Sequence, residues 1–363
     1  MTLVKKKRES NLELYRIIVM ILIVAHHYVV NSGLIDLIHE NAGSRVASTM
    51  LLFGAWGKTG IDCFVLITGY FLCKSIYNWN KLLKLYLQIV FYGILIYAVF
   101  CLTGHESFSI FKIIGKIFPI KSISTGFTSC FLVFYLFIPF INILIKNLNQ
   151  KNHLYLLALL LGVYTILPSI PGFTFTFNYV GWFVTIYILA AYLRNYSGEW
   201  EISHKQWGLL SLSLLGLGSI SVLAFEMLYS KGYVSSYAPY FLISDSNKIF
   251  AVLISVSTFM WFKGLRLPYI PLINLLGGAT FGVLLIHANS NAMRQWLWKE
   301  IVDCTGHFGD NVLLALGYAL GSVLIIFTVC SFIEILRAKF IEPKYLNYIE
   351  SKIKRATTKL AIS

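Results

Sequence analysis

Apolar residues recur along the chain in ten long runs, near 12–31, 49–72, 83–103, 127–145, 154–168, 179–194, 208–228, 248–263, 273–290 and 311–335. Each is close to the ~20 residues a helix needs to cross a bilayer. The runs are continuous rather than alternating, which predicts helices and argues against a membrane β-barrel. The expected fold is all-α: a polytopic membrane helical bundle of about ten transmembrane helices. The connections between the runs are short. Phe108–Pro119 (FSIFKIIGKIFP) sets Ser109, Lys112 and Lys116 on one helical face and Ile110, Phe111, Ile113, Ile114, Ile117 and Phe118 on the other. Two readings fit that pattern: an amphipathic helix lying in the interface, or a loop helix packed on the bundle. Pro168–Asn178 reads as a Pro/Gly-punctuated loop and Arg194–Trp207 as a solvated connection of mixed charge. The pair Gly277-Gly278 reads as a break in the ninth run, with no counterpart elsewhere to suggest an inverted repeat.

Composition agrees with the pattern: 57% of residues are apolar, 13% are charged and the mean hydropathy is +0.72. The net charge of +14 matters through its placement. Ten spans put both termini on one side. Of 30 Lys and Arg, 21 fall on that side: five up to Arg16, nine in connections from Lys74 to Arg266, and seven from Arg337 onward. The positive-inside bias then predicts that both termini are cytoplasmic. It assigns the basic charge to anionic headgroups of the lipid bilayer rather than to nucleic acid. The first run follows Lys5, Lys6, Lys7 and Arg8, but no small-residue cleavage site follows it, so it reads as a retained span. Residues 1–340 are expected to form one membrane domain, and 341–363 a short basic cytoplasmic tail. The six cysteines have no CxxC spacing, and neither a disulfide framework nor a metal site is expected.

A few polar residues interrupt the apolar runs and carry the candidate chemistry. They are Arg16, His26 and His27 in the first run, Asp62 in TGIDCFVLITGYF, and His287 at the end of FGVLLIH. An ionisable residue deep in a span costs roughly 2.5–3.5 kcal/mol on insertion scales. Such residues mark function by default. Eleven residues at about 100° each bring Arg16 and His27 to one helix face, about 16 Å apart, while His26 turns roughly 80° away. The soluble signatures GxSxG, HExxH, Walker A and GxGxxG are absent, and no histidine has an Asp five residues on. A buried carboxylate and histidine suggest an acid/base pair, a proton relay of a transporter, or structural bonds in a scaffold.

Five blocks in order resemble the acyltransferase type 3 family of integral membrane enzymes. RIIVMILIVAHH from Arg16 is similar to its Arg-x10-His signature, with His27 rather than His26 in register. GKTGIDCFVLITGYFL (57–72) resembles its Gly-x-Asp block, with Val65 and Thr68 where Phe and Ser are usual. NWNKLLKLYLQIVFY carries Lys81 and Lys84 where arginines are common. CFLVFYLFIPFIN (130–142) resembles the Tyr-x-x-x-Pro-Phe-x-Asn stretch, with GFT at 126–128 in place of a preceding Trp. FGVLLIHANS resembles the penultimate-span block ending in His287.

The resemblance implies transfer of an acyl group, usually acetyl, from cytoplasmic acyl-CoA to a carbohydrate acceptor across the membrane. The expected function is an O-acetyltransferase of a surface or exported polysaccharide in a bacterial cell membrane. A proton-coupled exporter of a glycan or small organic acid is the alternative. Acetyl-CoA would be a co-substrate rather than a resident cofactor. Residue chemistry fits: a sugar hydroxyl needs a base, and histidine titrates nearest neutrality. His27 is the expected base, with Asp62 orienting it. Arg16, Lys81 and Lys84 are expected at the donor's phosphates, and His287 at the acceptor. The oligomeric state, a homo-oligomer included, stays open. A reporter fused after Ser363 is expected to be shielded in intact cells; access from outside would reverse the topology and the donor side with it.

Overall fold

The computed structural model describes residues 8–120, 123, 126–173, 177–309 and 311–348. Lys5–Lys7 and the tail beyond Tyr348 lie outside the described residues. The chain is all-helical among the described residues, and its helices follow the apolar runs. They are α1 (Ser10–Val30), α2 (Leu34–Glu40), α3 (Arg45–Gly54), α4 (Gly57–Leu72), α5 (Trp79–Leu102), α6 (Ile110–Ile117) and α7 (Phe127–Asn147). Then come α8 (Gln150–Leu161), α9 (Tyr179–Tyr196), α10 (His204–Ser230), α11 (Ile249–Gly264), α12 (Pro271–His287), α13 (Asn291–Gln295) and α14 (Val312–Leu336). Side chains of Ser44, Asn149, Asn178, Ser203 and Asn311 accept backbone N–H groups at helix starts, satisfying donors that a helix leaves open.

Seven stretches are long and apolar enough to cross a membrane alone, and the bent pair Pro271–His287 and Asn291–Ile301 makes an eighth. α9 and α11 fall outside that measure by length or composition, yet both run the length of the bundle. Tyr179 at one end of α9 meets Lys58, and Arg194 at its other end meets Tyr70. On α11, Lys248 bonds the Pro168 carbonyl while the Lys263 carbonyl accepts from Asn11. The end holding Ser10 is called here the near end, and the other the far end.

Neighbours of α1 fix the arrangement. α1 and α12 run parallel: Ser10 accepts from Asn274 Nδ2 at 2.7 Å near the start, and His27 meets His287 at 2.9 Å near the finish. Gly277 and Gly278 are not a break, because α12 is continuous through them. They bring α1 close, and an added Cβ would collide with Glu13 at Gly277 and with Arg8 at Gly278. The break comes after His287, where the chain turns by 97°. α4 runs antiparallel to α1, with Gly57 under His26 and Gly60 under Ile23. Small residues permit this closeness where apolar burial alone cannot drive helices together.

α6 lies along α5 rather than flat in an interface. Tyr97 receives the Ser109 N–H at 2.7 Å and Tyr86 donates to the Ile117 carbonyl at 2.8 Å. These tyrosines are separated by about 16 Å of helix, so α6 runs back down its neighbour. Ile110, Phe111, Ile114 and Phe118 face outward, while Gly115 and Lys116 face a cavity. The C-terminal helix continues through a wider turn at Arg337–Ile341 to Tyr348. The boundary expected at 340 therefore falls inside a helix. Glu334, Arg337 and Glu342 form a buried ion cluster there, with 2.8 Å and 2.6 Å contacts.

The close approach of α1 and α12 yields a stability test. Gly277→Val is expected to lower the thermal midpoint of the purified protein, since overpacking costs ~1–3 kcal/mol. An unchanged midpoint would mean the two helices do not meet this closely.

Candidate active site

At the far end, α1, α4, α5, α6, α7, α9, α12 and the turn into α13 enclose a cavity of about 520 Å³. Ile23, Phe64 and Ile89 form its floor, reckoned along their helices, and Asn289 and Arg294 stand at the far-end rim. Both His26 and His27 line it. Helix phase separates them as expected: His27 faces α12, whereas His26 Nδ1 lies 2.7 Å from the Gly54 carbonyl on α3.

The hydrogen bonds of His27 fix its tautomer. His287 Nδ1 lies 2.6 Å from the Val283 carbonyl, which can only accept, so that nitrogen carries the proton. With both rings neutral, His287 Nε2 is then an acceptor. It faces His27 Nδ1 at 2.9 Å, so His27 Nδ1 donates. The lone pair of His27 sits on Nε2, which has no protein partner among the described residues. His287 is fully buried behind His27 and does not line the cavity. The acceptor contact expected of it is replaced by a bond to the histidine in front. Its burial follows from the 97° turn that closes over it.

Asp62 also sits elsewhere than expected. It is fully buried, it accepts from Trp182 Nε1 on α9 at 2.8 Å, and its second oxygen has no protein partner. It bonds α9 rather than His27, whose orienting partner is His287. Near it, Lys58 donates to the Tyr179 hydroxyl at 3.0 Å, and Tyr179 donates to Asp245 at 2.8 Å. Lys58 and Tyr179 line the cavity.

The cavity thus joins a histidine with a free ring nitrogen to cationic and aromatic side chains. A family model for the acyltransferase domain matches residues 9–331. The chain belongs to the type 3 acyltransferase family. No curated protein and no solved structure matches it.

At the near end, the acyltransferase has a second cavity, of about 710 Å³, lined by Lys74, Tyr77, Asn142, Lys146, Asn195 and others. The Tyr77 hydroxyl and Asn195 Oδ1 are buried there without protein partners. About 14 Å of α4 separates Phe64 of the far cavity from Cys73 of this one. The cations expected at the donor do not converge on either cavity. Arg16 lies 3.4 Å from Glu13, whose other oxygen faces Arg8 at 3.5 Å. Lys84 is ion-paired with Glu342, and Lys81 is exposed at the near end.

Sequence reasoning on the acyltransferase missed Lys58, Tyr179, Asp245 and Arg294 as site residues. Lys58 stands four positions before Asp62 and was available as a signal. Arg294 follows His287 by seven residues, in a stretch that reads as an ordinary connection.

Proposed function

We propose that this acyltransferase moves an acetyl group from cytoplasmic acetyl-CoA to a hydroxyl of a surface or exported polysaccharide. The observation that carries the reading is the free Nε2 of His27 at the far-end cavity, with Nδ1 committed to His287. In this scheme His27 Nε2 takes the proton of the acceptor hydroxyl. The alkoxide oxygen attacks the thioester carbonyl carbon, the C–S bond breaks, and the CoA thiolate leaves with the proton returned by the imidazolium. His287 acts as a positioning residue: it holds the ring and accepts from Nδ1 throughout, the part a carboxylate takes in a hydrolase triad. A thioester is already activated, so alignment of the partners supplies much of the rate.

The excess of basic residues at the near end supports assigning that end to the cytoplasm. The donor's phosphates would meet Lys74 and Lys146 in the near-end cavity. Lys81, Lys84 and Arg16 would add positive charge around its entrance, Lys84 more weakly because Glu342 holds it. Asp62 takes a supporting place, fixing Trp182 and with it the register of α4 on α9.

The test is acetyl transfer by purified variants in nanodiscs, with expression checked for each. His27→Ala is expected to lower kcat by roughly 10²–10⁴-fold without raising the KM for acetyl-CoA. His26→Ala should lose thermal stability with its Gly54 bond but keep clear activity. His287→Gln should retain more activity than His287→Ala, because a glutamine carbonyl can still accept from His27. Full activity in His27→Ala would remove the mechanism. Lys74→Ala with Lys146→Ala is expected to raise the KM for acetyl-CoA, more so at low salt, where charge contacts count most. A donor KM unchanged in that pair, but raised in Lys81→Ala, would move the donor site to the first turns of α5.

A further inference from the structure

The far-end cavity is lined by three strong cations, Lys58, Lys116 and Arg294, and by no carboxylate. Only Lys58 is neutralised, by Asp245 at 3.6 Å. Arg294 has no ion-pair partner among the described residues, and its Nε is buried without a hydrogen bond. Lys116 hangs from α6 into the cavity against Gly93, and the nearby carboxylate of Glu106 is already held by Lys112 at 2.8 Å. Lys116 and Arg294 are half-buried, and a cation partly withdrawn from water with no partner is costly unless an anion meets it. Arginine presents a planar fork matched to carboxylate and phosphate oxygens. Phe64, Phe127 and Tyr179 supply aromatic surface to the same cavity, suited to the apolar face of a sugar ring.

We infer that the acceptor is an anionic glycan, whose carboxylate or phosphate is gripped by Arg294 and Lys116 while a neighbouring hydroxyl reaches His27. The inference rests on the acyl-transfer reading for the reaction but not for the anion site itself. Arg294 and Lys116 come from separate elements, α13 and α6, at the rim and wall of the cavity. A ligand held between them is bound across the opening that His27 faces. They set which acceptor binds, and His27 sets what happens to it.

Two arms test this on the full chain in nanodiscs. The first measures the thermal midpoint with trigalacturonate, with its methyl ester, and with inorganic phosphate. Trigalacturonate or phosphate is expected to raise the midpoint of the wild type, and the ester to leave it unchanged. The shift should shrink in Arg294→Gln and in Lys116→Gln, two variants on independent elements. No shift with either anion, or an equal shift with the ester, overturns the anion site. The second arm follows acetyl transfer to the de-esterified surface glycan of the source cell, before and after carboxyl reduction or dephosphorylation. Loss after carboxyl reduction identifies a carboxylate, and loss after dephosphorylation a phosphate. Arg294→Gln is expected to raise the glycan KM roughly tenfold or more and to leave the acetyl-CoA KM unchanged. Transfer undiminished by both treatments overturns the inference while acyl transfer stands, as does a kcat loss in Arg294→Gln with the glycan KM unmoved. Anion binding without any acetyl transfer leaves the anion site standing and removes the acyl-transfer reading instead.

Discussion

The contact between α1 and α12 begins with Ser10 on Asn274 and ends with His27 on His287, and most of the molecule's polar chemistry hangs from it. Two parallel helices can stay in register over that length only if their backbones come close. Gly277 and Gly278 provide the space, taking Glu13 of α1 and Arg8 just before it where side chains would otherwise stand. Once that spacing is set, the ring of His27 has one neighbour within reach, and its tautomer follows. α4 then presses on the opposite side of α1 through Gly57 and Gly60. The cavity is what remains between these helices, the start of α7 and the two short elements at the far end.

Charge is divided unequally between the two ends. The middle of the bundle holds its ions in closed groups. Glu334, Arg337 and Glu342 share protons and oxygens with Gln88, Tyr92 and Tyr345. These groups satisfy one another, and breaking one member would strand the rest in a medium of low polarity. In the two cavities, Arg294 Nε, the Tyr77 hydroxyl and Asn195 Oδ1 are left without protein partners.

The helical fold was legible because a membrane leaves few choices: seven of the expected runs match stretches able to span alone among the described residues, the bent pair makes an eighth, and α9 and α11 fall outside that measure. The shared face of Arg16 and His27 followed from helix period alone; His27 turns toward α12, and Arg16 bonds Glu13, which packs on Gly277 of α12. Asp62 was visible as an intruder but not its partner, since the rotation of α4 about its axis is set by α1 and α9 rather than by its own sequence. His287 lay in a recognisable block, yet its burial depends on the 97° turn after it, which no local pattern announces. The glycine pair in α12 read as a break because glycine weakens isolated helices; a close neighbour removes that penalty. The amphipathic stripe of α6 suits a membrane surface or another helix equally, and two tyrosines on α5 decide between them. Lys58 lay inside an apolar run and Arg294 in a connection, and only the packing of neighbouring helices brings both to one cavity.

The histidine chain ends on a peptide carbonyl, and this has an electrical consequence. Val283 can accept a hydrogen bond but, at ordinary pH, cannot take up a proton and pass it on. A proton gathered by His27 therefore has no route through the protein along this chain of bonds and leaves on a molecule held in the cavity. The bundle can then carry out proton chemistry deep within a membrane without becoming a conductor through it.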